Sequence, residues 1–140
     1  MKKKISLLLT ILWMVLIFIL SSASSSESNE HSGWIVNFIA QIFNINNLDM
    51  LSYIIRKIAH VLEFAMLGIL VMNLISCYNK KMYLALIICV LYAVSDEIHQ
   101  IFVPGRNSSI IDVLIDSVGS FIGIYIYKVI IMFKNKIMKQ

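Results

Sequence analysis

The chain has 140 residues, of which 59% are hydrophobic and only 14% charged, against about a quarter charged in soluble domains. A soluble fold of this length has too small an interior to hide that much apolar surface, so lipid must solvate much of the chain. The net charge of +4 does not read as a nucleic-acid surface. Most of the lysines, among them Lys2, Lys3, Lys4, Lys80, Lys81, Lys128, Lys134, Lys136 and Lys139, flank apolar runs. There they set orientation by the positive-inside rule, with both termini expected in the cytoplasm of a bacterial cytoplasmic membrane. Cys77 and Cys89 show neither metal-ligand spacing nor a secreted disulfide pattern and read as small apolar fillers.

The expected fold is an all-α integral membrane protein with four transmembrane helices and one short interfacial helix. The first span covers about 5–22. Its basic start, short apolar run and small residues such as Ser21 and Ala23 also fit a signal peptide, but either reading puts residue 24 outside. Residues 32–43 carry Trp34, Ile35, Phe38, Ile39, Ile42 and Phe43 on one side, too few to cross a bilayer, and predict an amphipathic helix in the interface. The polar stretch Asn44 to Asp49 predicts a turn. Further spans follow at about 53–76, 82–102 and 110–127, and a lysine-punctuated cytoplasmic tail at 128–140 completes a single domain.

The third span carries the most information. Its uninterrupted apolar run, Met82 to Val94, is 13 residues, or roughly 20 Å of helix. A bilayer core needs roughly 30 Å, so the helix must continue through Asp96, Glu97, His99 and Gln100. His60 and Glu63 lie near the outer end of the second span, and Asp112 and Asp116 near that of the fourth. Three helices therefore deliver ionisable groups to one level. Each buried charge costs roughly 2.5 to 3.5 kcal/mol on insertion scales, so a group of them needs partners or a use.

Helical spacing sorts these residues into stripes. Arg56, His60 and Glu63 stand at i, i+4 and i+7, Asp96, His99 and Gln100 at i, i+3 and i+4, and Asp112 and Asp116 at i and i+4. The economical packing turns all three stripes towards a shared pocket open to the outside. Gly119 and Gly123 continue the Asp112–Asp116 stripe as a GxxxG pair that lets a neighbouring helix approach closely, and Pro104 with Gly105 supplies the turn between the last two spans. Glu63, Asp96, Glu97, Asp112 and Asp116 sum to −5 if ionised, and Arg56, Lys57 and Arg106 return +3. A divalent cation, protonated His60 and His99, or neutral carboxylic acids would each meet the difference of two.

Plainer readings stand beside these. Asp112 fits the third residue of a capping box begun by Ser109, and Glu63 fits an ion pair with Arg56 or Lys57. The histidines also fit structural partners of nearby carboxylates, and Arg106 fits a solvated loop cation.

At Arg56–Phe64 (RKIAHVLEF), Asp96–Arg106 (DEIHQIFVPGR) and Asp112–Gly119 (DVLIDSVG) the chain resembles the VanZ-like family of bacterial membrane proteins. Leu20-Ser21-Ser22 resembles that family's serine pair, with Ala23 where relatives often carry Gln, so nearly the whole chain is covered. The family is named for a protein linked to low-level resistance to the glycopeptide antibiotic teicoplanin. The resemblance implies a role in the cell envelope and singles out His60, Glu63, Asp96, Glu97, His99, Gln100, Arg106, Asp112 and Asp116.

Two functions follow as expectations. In the first, the pocket holds a membrane lipid or a lipid-linked cell-wall component, with Arg56 and Arg106 on phosphate or sugar and Glu97, Gln100, Asp112 and Asp116 completing the site. In the second, a membrane hydrolase or transferase uses Asp96 or His99 as base and Glu63 or His60 as orienting partner. A proton-linked carrier ranks last, because the cytoplasmic halves offer only Asn73 and Ser76 as polar residues.

Overall fold

The computed structural model describes residues 2–79, 81–106 and 108–138, with the side chains of 25–29, 31 and 32 outside that description. The flanking cations Lys80 and Lys139 fall outside the described residues. The described chain is helical, with no strand. Its elements are α1 (Lys2–Ser21), α2 (Ser25–Phe43), α3 (Leu48–Ser76), α4 (Met82–Gln100) and α5 (Ile110–Ile137). Helices α1, α3, α4 and α5 are each long and apolar enough to cross a membrane, and Gly33–Phe43 of α2 is a shorter apolar helix. These are the marks of a multi-pass membrane protein.

The helix ends follow local chemistry. Asn44, at φ 50°, ends α2, and the Asn47 side chain caps α3 by accepting from the Met50 amide at 3.0 Å. Asn79, at φ 53°, and Gly105, at φ 73°, occupy the left-handed region in the two later connections. Three elements outrun their apolar signal. Helix α3 starts at Leu48, inside the stretch expected as a turn and ahead of the span expected from about 53, because Asn47 caps it there. Helix α2 starts at Ser25, ahead of the amphipathic stretch, and α5 continues past Tyr127 to Ile137, so Lys128, Lys134 and Lys136 stand on helix. Hydropathy marks where lipid ends, whereas backbone hydrogen bonding continues into water when good helix formers follow.

Packing centres on α3. Ile17, Phe64, Leu67, Val71, Cys89, Ala93 and Ile124 form the buried core, and both cysteines are free thiols. Outward residues such as Leu91 and Leu114, each at least 60% exposed, present apolar surface that only lipid makes tolerable. The tightest contact joins α3 to α5. A Cβ at Gly119 would come within 2.6 Å of the Val61 carbonyl oxygen, one at Gly123 within 1.8 Å of that of Ala65, and one at Gly68 within 2.2 Å of that of Ser120. The expected GxxxG contact is thus present, and Gly68 on the facing helix completes it.

Helix α1 is tied into the bundle by aromatic donors as well as by Ile17. Trp13 Nε1 donates to the Glu63 carbonyl at 2.9 Å, and the Tyr92 hydroxyl donates to the Met14 carbonyl at 2.5 Å. Helix α2 packs on α3 through Val36, Ala40 and Leu51. Trp34, Phe38 and Ile42, one turn apart in succession, are left exposed on the outer face.

Candidate functional site: a polar cavity at one end of the bundle

The C-terminal ends of α1 and α4 and the N-terminal ends of α3 and α5 meet at one end of the bundle. A stripe on α4 explains how charge reaches it. Ala85, Cys89 and Ala93 are buried, and the same face continues as buried Asp96, Glu97 and Gln100. Small residues let the half towards Met82 pack closely, and the half towards Gln100 turns polar where the neighbouring helices supply donors.

Asp96 is held on both oxygens. Ser21 Oγ donates to its Oδ1 at 2.7 Å, and Gln100 Nε2 donates to its Oδ2 at 2.9 Å. Ser22 Oγ and His99 Nε2 lie 3.0 Å apart, and the His99 ring sits 4.2 Å from that of Phe18. The serine pair at the end of α1, Ser21 and the following Ser22, is therefore a clasp on α4, one residue for each of two turns. Nothing in sequence spacing links residues 75 and 77 positions apart.

Glu97 takes a different post. Its Oε2 accepts from the Ser109 amide at 2.9 Å, while the Ser109 hydroxyl accepts from the Ile111 amide at 3.1 Å. The N-terminus of α5 is thus capped from α4, in the position that a capping box would have assigned to Asp112. Asp112 instead forms an ion pair with Lys57, and Lys57 also stands 5.2 Å over the Tyr53 ring. Lys57 therefore belongs to Asp112 and not to Glu63. Glu63 lies part-buried, beneath the α1 contact that its own backbone makes through Trp13.

Between α3, α5 and the α4–α5 connection lies a cavity of about 300 Å³. Arg56, Lys57 and His60 line it from α3, Glu97 and Gln100 from α4, Arg106 from the connection, and Asp112 and Asp116 from α5. Asp96, His99 and Glu63 do not line it. The stripes do converge, as the spacing implied, but the convergence has two layers. The α1–α4 clasp holds Asp96 and His99 in structural bonds, and the cavity beside it exposes His60 and Asp116.

His60 Nδ1 and Asp116 Oδ2 stand 3.9 Å apart, too far for a direct hydrogen bond. Both atoms are buried without a hydrogen-bond partner among the described residues. Buried polar groups normally find partners, so such a set marks a place reserved for water or ligand. Arg106, outside the spans, donates through Nε to the Ala23 carbonyl at 3.2 Å. Burial, and after it the Arg56 guanidinium, push Arg106 down from its ordinary value, and Asp96, Glu63 and Glu97 pull it up. It stays cationic, as guanidinium does in proteins. Among the described residues no three His, Cys, Asp or Glu side chains gather as metal ligands would.

The VanZ/LLP1 family model matches the chain over residues 6–132, a stretch that holds the serine clasp, the RKIAHVLEF helix and both acid-bearing stripes. The chain belongs to that family. No curated protein and no solved structure matches the chain. Within this VanZ-like chain the motif residues thus separate into those that tie the bundle end together (Ser21, Ser22, Asp96, His99) and those that wall the cavity (His60, Arg106, Asp112, Asp116), with Glu97 doing both.

Proposed function

We propose that this VanZ-like protein acts in the cell envelope by holding the polar part of a membrane lipid or lipid-linked cell-wall component in the cavity, at the extracytoplasmic face. In that place it contributes to tolerance of lipid-bearing glycopeptides such as teicoplanin. The observation that carries the reading is the walled cavity itself. Cations, acids and a histidine from three helices and the α4–α5 connection surround about 300 Å³, and the buried atoms of His60 and Asp116 lack hydrogen-bond partners among the described residues. The outward placement is supported by the lysines of the opposite end, Lys2 to Lys4, Lys81, and Lys128 to Lys136. An acyl-anchored drug works near the outer leaflet, so a protein that occupies or alters lipid there should affect it more than an unlipidated glycopeptide.

The test is the inhibitory concentration of teicoplanin and of vancomycin in a susceptible Gram-positive host, with and without the protein. A rise for teicoplanin alone supports the reading, and equal change for both drugs, or none, contradicts it.

A second reading rests on the same His60–Asp116 gap. A membrane hydrolase or transferase acting on a lipid-linked substrate would use these two groups, which face the cavity, as its proton-transfer pair. Asp96 and His99 would then support the end of the bundle. Conversion of a lipid-linked substrate by purified protein, abolished by Asp116→Asn, would favour this over simple binding.

A further inference from the structure

The cavity does not stand alone. A second recess of about 360 Å³ runs along the outside of α3 and α5, walled by Ile54, Ile58, Val61 and Leu62, and shares Tyr53, Lys57 and Ile115 with the polar cavity. The two spaces therefore meet at one wall. On one side of it lie ionisable groups, and on the other almost only hydrocarbon, with Ile58 and Leu62 more than half exposed to the lipid side.

The cations are distributed unequally. Lys57 is neutralised by Asp112. Arg56 and Arg106 line the same cavity from α3 and from the α4–α5 connection, and neither forms an ion pair among the described residues. Glu97 on the cavity wall acts on Arg106 without pairing with it, so both guanidiniums keep planar donor forks that match phosphate oxygens. Among the described residues the Arg106 side chain bonds through Nε, to the Ala23 carbonyl, which leaves its terminal amino groups for that purpose.

We infer that cavity and recess are one bipartite site for a phosphate-headed lipid, with Arg56 and Arg106 clamping the phosphate and one hydrocarbon chain lying in the recess past Ile58 and Leu62. His60 and Asp116 at the inner wall are then free to bond hydroxyls of the head group. This rests on the binding reading above and deepens it. It names the anion, the two residues that hold it, and the path of the chain. A soluble phosphate compound would use the first half of the site only, so the apolar half commits the ligand to lipid.

The experiment measures binding to the purified full-length protein in an uncharged detergent, with dioctanoyl phosphatidic acid, inorganic phosphate and dioctanoylglycerol as probes. Phosphatidic acid should bind most tightly, phosphate more weakly and the phosphate-free diacylglycerol not measurably. Arg56→Gln should weaken both phosphate-bearing probes about tenfold, the loss of one charge-assisted contact. Ile58→Trp, which fills the recess without touching the polar cavity, should weaken phosphatidic acid and leave phosphate unchanged. If phosphate binds as tightly as phosphatidic acid and Ile58→Trp changes neither, the bipartite site is wrong while a polar pocket survives. If none of the three probes binds, the binding reading falls with it.

Discussion

The bundle contains two polar regions, and they are built on opposite plans. Towards the lysine-flanked end, Thr10 Oγ1 donates to the Ser6 carbonyl at 2.9 Å, Asn73 Nδ2 donates to Ser6 Oγ at 3.0 Å, and the Tyr127 hydroxyl donates to Asn73 Oδ1 at 3.2 Å. Every group there is uncharged, and the bonds close on one another across α1, α3 and α5. At the other end the groups are ionisable, surround open volume, and leave His60 Nδ1 and Asp116 Oδ2 without partners. Hydrogen bonds between helices in a membrane are worth about 0.6 to 2 kcal/mol each, so the closed cluster is sufficient as glue. The open one costs free energy to maintain unless something fills it. The contrast separates what holds the bundle from what the bundle holds. It also counts against a proton path across the membrane, since the closed cluster offers no carboxylate or imidazole.

Substitutions can break that contrast in graded steps. The largest effect belongs to neither polar region. Gly123→Val would drive a side chain into the Ala65 carbonyl and should cost on the order of 3 kcal/mol or more, seen as loss of folded protein from the membrane. Next is Asp96→Asn, which places an amide donor among the donors from Ser21 and Gln100. About 2 kcal/mol of stability should go, read as a lower thermal midpoint in detergent. Asn73→Leu removes the bonds to Ser6 and Tyr127 and should cost about 1 kcal/mol, with ligand binding intact. Smallest is Arg56→Gln, whose melting should stay within about 0.5 kcal/mol of wild type even as phosphate binding falls. A variant of the cavity wall that unfolds the protein as severely as Gly123→Val would erase the distinction.

Much of this was legible beforehand, for physical reasons. The apolar run before Asp96 is too short to cross a bilayer alone, so the helix had to continue through acids, as α4 does to Gln100, and helical spacing alone turns Asp112 and Asp116 to one side. Gly119 and Gly123 announced a close helix contact, and α3 supplies it at Val61 and Ala65. What sequence could not supply was partnership. Asp96 and His99 stand on the helix with the densest polar run, and nothing in that run shows that Ser21 and Ser22 bond them from a distant part of the chain. Glu97 takes the cap expected of Asp112, because a cap can come from another helix, and Asp112 takes the Lys57 ion pair expected of Glu63. Gly68, Ser120 and the Ser6–Asn73–Tyr127 cluster carried no local signal. Each is an ordinary residue until a neighbour arrives.

The most direct test compares Asp116→Asn with Asn73→Leu in the same Gram-positive host, at matched membrane levels, by the inhibitory concentration of teicoplanin. Asp116 belongs to the open region and Asn73 to the closed one, and each variant keeps its helix. Tolerance lost in Asp116→Asn and retained in Asn73→Leu is the predicted result. Tolerance retained in Asp116→Asn, or lost equally in both, would contradict the assignment of function to the cavity.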